Sequence, residues 1–315
     1  MRFAPVNRRN VRRHNIRGET LNALIFLDSR DLIDVVDYSR PISALALANE
    51  LRARDAVLLL TMTNVLESTA RGPDIQRVAD LLRRLEGVPH VFSNHSNISE
   101  REFLDAQQAA AVGRAASPTL LLHPSFWRAL VPTSIADDPA RADFHELLDN
   151  LPMADQVAAA LMDGRGFSWN LDFAAAMGDV LGGQREVLGA GPPNKELFRY
   201  FVGEQLAGFG LEVPDLVAFA NWLFRSPEAC PGWRLGHESF QELRRDVKVR
   251  FKESDTRDLM HIYFIPYVSA ATLDAQWREY CARAGRRLAA VGITLPYLQN
   301  IHRNLDDLLT RWRPS

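Results

Sequence analysis

The chain alternates between short, wholly apolar runs and longer segments in which apolar residues recur every three or four positions. Residues 23–27 (ALIFL) and 56–60 (AVLLL) are of the first kind. An apolar run of that length, closed by a polar residue, marks a strand buried on both faces, as in a parallel sheet covered by helices. Between these runs, residues 30–36 and 42–54 have helical spacing. In the second of them Leu45, Leu47, Ala48 and Leu51 are the apolar positions, and Glu50, Arg52 and Arg54 are polar. Strand, helix, strand in that order predicts a crossover connection and a parallel pair. The second strand runs on through Thr61, Met62 and Thr63 into a helix start at 64–68. Residues 75–85 predict another amphipathic helix and 88–92 a short third strand.

From Ser99 the pattern becomes mostly helical. Ser99 and Glu102 fit a capping box ahead of a helix over 101–112. Further helical segments fall at 144–148, 155–162, 172–181, 195–209 and 214–224, punctuated by Pro and Gly. Mixed character returns later, with helices at 240–250 and 255–263 and a β-prone stretch at 267–273. A helix at 276–284, a last strand at 287–293 and a closing helix at 297–312 complete the reading. The expected fold is α/β: a parallel sheet flanked by helices and assembled from both ends of the chain. Residues 1–20 form a basic arm, 21–98 and 238–315 supply the sheet, and 99–237 form a helical insertion or subdomain.

Composition supports a globular chain. Of 315 residues, 47% are hydrophobic and 24% charged, with a formal net charge of −2, so the whole molecule is not a polycation. Any contact with nucleic acid would rest on local patches. One such patch is the start of the chain, where Arg2, Arg8, Arg9, Arg12, Arg13 and Arg17 are opposed only by Glu19. It reads as a solvated tail, a phosphate-binding arm or a transit peptide. No apolar run approaches the roughly 20 residues of a membrane span. Cys230 and Cys281 lack metal-ligand spacing and suggest no disulfide framework, so a reducing cytoplasmic setting is expected.

Four acids stand where strands end or where the following helix begins: Asp28, Glu67, Asp258 and Asp274. Ligands of open parallel sheets gather at the carboxyl edge of the strands. Carboxylates converging there suit hard divalent cations, and two such cations can support phosphodiester hydrolysis. Each acid also has a plain structural use, Asp28 and Asp274 as helix caps and Glu67 as a solvated helix residue. Asp255, after Ser254, reads as the N-cap of the helix that carries Asp258. His261 lies three residues beyond Asp258 on the same helix face and reads as a core or supporting residue. Two other strings fail. Gly189 to Lys195 lacks the Ser or Thr of a phosphate loop and carries two prolines, and His145 to Asp149 lacks the second His of a zinc protease helix.

The segment 24–34 (LIFLDSRDLID), the segment 58–67 (LLLTMTNVLE) and the run from Asp258 to Asp274 resemble, in order, the acid-bearing elements of the PIN-domain nucleases. The resemblance covers roughly 20–95 and 238–312. It implies a metal-dependent nuclease with Asp28, Glu67, Asp258 and Asp274 binding Mg2+ or Mn2+, acting on RNA more than DNA. Arg30 is a candidate for phosphate contact. The chain departs from the family at Ser269, where an acid is expected, and in the long helical middle, which suggests a protein partner. The alternative implied is a PIN-fold binding or scaffold protein that does not turn over substrate.

Overall fold

The structure, a computed structural model, describes residues 14–16, 19–21, 23–36, 43–61, 63–64, 83–93, 95–130, 193–246, 248–249 and 252–313. The expected helices at 144–148, 155–162 and 172–181, and most of the one at 75–85, lie outside these residues.

Strands β1 (His14–Ile16) and β2 (Glu19–Leu21) pair antiparallel; the arginines of the basic arm, Arg2 to Arg17, lie outside the described residues. Next come β3 (Ala23–Phe26), α1 (Ser29–Val36), α2 (Ala44–Ala53), β4 (Ala56–Thr61) and β5 (His90–Ser93). Helices α3 (His95–Ala111), α4 (Phe126–Leu130), α5 (Lys195–Gly208), α6 (Leu216–Arg225), α7 (Pro231–Arg245) and α8 (Glu253–Ile262) follow. The chain closes with β6 (Ala270–Thr272), α9 (Ala275–Ala289), β7 (Ile301–His302) and α10 (Leu305–Arg311).

Five strands form one sheet in the order β5-β4-β3-β6-β7, every neighbouring pair parallel. The apolar runs are buried on both sides because alternate side chains enter different cores. Leu24, Phe26, Leu59, Val91 and Ala271 face a cluster shared with α3, α5, α6, α7, α8 and α9. Ile25, Leu27, Leu58, Leu60, Phe92 and Ala270 face the other, shared with α1, α2, α4 and α10. The described helices of the 99–237 segment thus pack into the same core as the sheet.

Connections are set locally. Ser43 accepts a hydrogen bond from the Ala46 N–H at 3.3 Å and starts α2. After α2, Asp55 takes φ +49°, a left-handed turn that Asp tolerates, and leads into β4. Arg54 donates to the carbonyls of Leu309 at 2.9 Å and Trp312 at 3.0 Å, placing a cation against the end of α10.

Three expectations are corrected. Residues 287–293 are not a strand: α9 runs to Ala289 because Trp277, Cys281, Ala284 and Leu288 form a buried stripe at helical spacing. The last strand is Ile301–His302, paired with Ala271 and Thr272, and it interrupts the expected closing helix. Ser99 and Glu102 do not open a helix. They lie inside α3, where the buried Glu102 carboxylate accepts from the backbone N–H groups of Gly232 at 2.6 Å and Trp233 at 2.8 Å, and from the Tyr267 hydroxyl. Glu102 therefore caps α7, whose own N-cap Cys230 offers no side-chain acceptor. Among the described residues, no helix is long and apolar enough to cross a membrane.

Candidate metal centre

The order of the strands reverses direction at β3 and β6: the chain moves from β3 outward through β4 to β5, then returns to place β6 on the opposite side of β3. Such a switch point leaves a crevice beyond the carboxyl ends of the two strands. Asp28 follows β3 there. Its carbonyl accepts the Leu32 N–H at 3.0 Å, beginning α1, and its own N–H donates to Thr272 Oγ1 at the end of β6, 2.8 Å away.

Asn64 braces the same turn from the other side. Its Oδ1 accepts from the Thr61 N–H at 3.1 Å and the Thr61 hydroxyl at 2.9 Å. Its Nδ2 donates to the Leu27 carbonyl at 3.2 Å and to Ser29 Oγ at 3.1 Å. The residues on either side of Asp28 are thereby tied to β4, and Asp28 itself to β6. Sequence reasoning passed over Asn64 and Thr272. Their only signal is a small polar residue at or just past a strand's end.

Helix α8 supplies the facing residues. Leu259 and Ile262 enter the core, and Met260 lies beside Thr63, with Oγ1 3.8 Å from its sulfur. That leaves Asp258 and His261, three residues apart, on the face towards Asp28. One donor atom from each of Asp28, Asp258 and His261 lies within 4.8 Å of the others. Ligand atoms that share one divalent cation stand roughly 3–4.5 Å apart, so small side-chain adjustments would close this set around an ion.

Their environments differ. Asp28 is 7% exposed and Asp258 half-buried, while His261 is fully buried against Phe26, its ring centroid 5.1 Å away in an edge-on contact. Burial lowers the His261 pKa to about 4; Asp28 and Asp274 oppose that shift and Arg257 reinforces it. The ring is neutral at physiological pH, the form in which imidazole donates a lone pair to a metal. Two carboxylates and a neutral imidazole are a chemically suitable donor set.

The four expected ligands fare differently. Asp28 and Asp258 are brought together. Glu67 lies outside the described residues. Asp274 is the N-cap of α9, its Oδ1 accepting the Trp277 N–H at 2.7 Å, and it does not belong to the group of mutually close donors. His261, expected as a core or supporting residue, is the third donor of that group. Asp255 is not the N-cap of α8 but lies three residues after it, and its Oδ2 accepts the Lys252 N–H at 2.6 Å. Ser269 donates its N–H to the Leu24 carbonyl at 2.8 Å, knitting the approach to β6 into the sheet.

Two arginines neighbour the grouped acids in sequence, and Arg30 reaches the Asp31 carboxylate at 3.9 Å. Arg30 lies on the first turn of α1 with its side chain 52% exposed, and Arg257 precedes Asp258, close enough to act on His261. Comparison with known proteins adds no family to this geometry: no protein-family model, curated protein or solved structure matches the chain significantly.

Proposed function

We propose that this protein is a divalent-cation-dependent phosphodiesterase of PIN-like fold that acts on nucleic acid, with Asp28, Asp258 and His261 as the cation's protein ligands. The observation that carries the reading is the convergence of those three donors at the switch point of a parallel sheet. When bound, the cation supplies Lewis-acid stabilisation of charge on a phosphodiester and lowers the pKa of water. Asp28 and Asp258 hold it by charge, and neutral His261 adds a nitrogen donor from the buried side. Arg30 and Arg257 suit the task of orienting phosphate oxygens at the rim. The preference for RNA over DNA rests on the resemblance of residues 24–34, 58–67 and 258–274 alone.

A second reading, a binding protein that holds a cation without turnover, is favoured by the size of the donor set. Among the described residues the grouped donors serve one cation, not a pair. Incubation of the purified chain with end-labelled single-stranded RNA, structured RNA and DNA, with Mn2+ or with a chelator, separates the two. The nuclease reading expects Mn2+-dependent cleavage that Asp28→Asn and Asp258→Asn both abolish. Mn2+ and RNA binding without cleavage of any substrate would favour the binding protein, and activity indifferent to both substitutions would remove the site altogether.

A further inference from the structure

Asp274 and Trp277 lie within one helical turn at the start of α9, and both are hydrogen-bonded in ways that bear on Asp258. The backbone N–H of Trp277 donates to Asp274 Oδ1 at 2.7 Å. Its indole Nε1–H donates to Asp258 Oδ2 at 3.1 Å. The indole is 1% exposed and packs edge-on against Tyr280, ring centroids 5.6 Å apart, so its direction is fixed by the core and not by solvent.

We propose that Trp277 is the positioning residue of the metal centre and that Asp274 serves the centre as the cap that sets Trp277, not as a ligand. The proposal rests on the reading of Asp28, Asp258 and His261 as ligands. An indole has one donor and no acceptor. Pointed at Oδ2, it fixes the rotation of the Asp258 carboxylate and directs Oδ1 to other partners. Asp258 sits on α8 and Trp277 on α9, so the bond also fixes the distance between the two helices at the site. Groups that orient metal ligands in this way typically change cation affinity by about 10–100-fold when removed. The cap at Asp274 requires only a side-chain oxygen, and Asn serves an N-cap as well as Asp does. A ligand role would require the charge.

The test measures Mn2+ affinity calorimetrically on wild type, Trp277→Phe, Asp274→Asn, Asp274→Ala and Trp233→Phe, with cation-free melting of each in parallel. Trp233 is buried in the same apolar cluster, on α7, and makes none of these contacts. Its substitution controls for loss of core packing. Trp277→Phe is expected to weaken Mn2+ binding by about 10–100-fold, whereas Trp233→Phe leaves affinity unchanged even where it lowers the melting temperature equally. Asp274→Asn gives up only the through-space attraction of a charge that reaches His261 and is expected to weaken Mn2+ binding a few-fold at most, less than Asp274→Ala, which loses the cap as well. Unchanged affinity in Trp277→Phe would overturn the proposal, as would a loss in Asp274→Asn as complete as that in Asp28→Asn. Should Trp277→Phe fail to fold, the contrast between the two Asp274 variants decides alone. Failure of wild type to bind Mn2+ would instead overturn the metal centre itself, and the positioning role with it.

Discussion

Without a cation, Asp28 and Asp258 hold like charges close together, and neutralising one should stabilise the protein. The nearest donor atoms of the two carboxylates lie within 4.8 Å. Unit charges at that separation repel by about 3.5 kcal/mol at an effective dielectric of about 20. Two terms reduce the gain expected from Asp28→Asn. Asp28 stands at the positive end of α1, an attraction of about 0.3–1 kcal/mol that the variant gives up. The Trp277 N–H on Asp258 and the nearby Arg257 already offset part of the repulsion. A net gain of about 2 kcal/mol remains, roughly 3 °C in melting temperature for a chain of this length. Saturation reverses the ranking. At Mn2+ about 100 times its Kd, binding adds about 2.7 kcal/mol to wild type, and the variant gains far less. Thermal melts of both proteins, in chelator and in Mn2+, should therefore cross. If Asp28→Asn melts several degrees below wild type in chelator, and wild type is indifferent to Mn2+, Asp28 is a helix-capping residue and the charge argument fails.

Three further outcomes are expected. A nitrogen donor adds affinity for transition cations and little for Mg2+, so His261→Asn should narrow the ratio of Mg2+ to Mn2+ dissociation constants by roughly tenfold, about 1.4 kcal/mol; titrations that leave the ratio unchanged would remove His261 from the ligand set. Glu102→Ala strands two buried N–H groups at the start of α7 together with the Tyr267 hydroxyl. It should cost about 2–4 kcal/mol in urea unfolding, with Glu102→Gln losing less, and a loss under about 0.5 kcal/mol would refute the capping role. His237 is partly buried and stacks on Trp233, and its pKa is lowered from 6.5 to about 3, first by desolvation and then by Arg234, Arg244 and Arg245. Between those values the unfolded chain takes up a proton that the folded one refuses. Stability is thus fully present above pH 6.5 and falls with acid by at most about 1.4 kcal/mol per pH unit. His237→Phe should flatten that slope in urea titrations at pH 7, 6 and 5, and parallel slopes would contradict the assignment.

The sequence by itself determined the centre of the sheet and two of the three donors that meet at its edge. A strand covered on both faces must be apolar along its whole length, so β3 and β4 announce themselves, and the polar residue that ends such a run falls at the sheet's edge, as Asp28 does. The face shared by Asp258 and His261 follows from helical spacing. What only the tertiary structure decided are the roles that depend on partners far along the chain. Asp28 is anchored by Thr272, 244 positions away, and Glu102 caps a helix through Gly232, 130 positions later. No local pattern encodes such a pair, because each member is an ordinary residue in its own segment. The two-residue strand β7 has no periodicity to detect; it exists because its backbone groups meet the open edge of β6. The cap at Asp274 is a contact within its own helical turn and was one of its two readings from the sequence, whereas His261 became a candidate ligand for a non-local reason. A side chain's chemistry is fixed by what packs around it, and that packing is settled only when α8 and α9 close over the sheet.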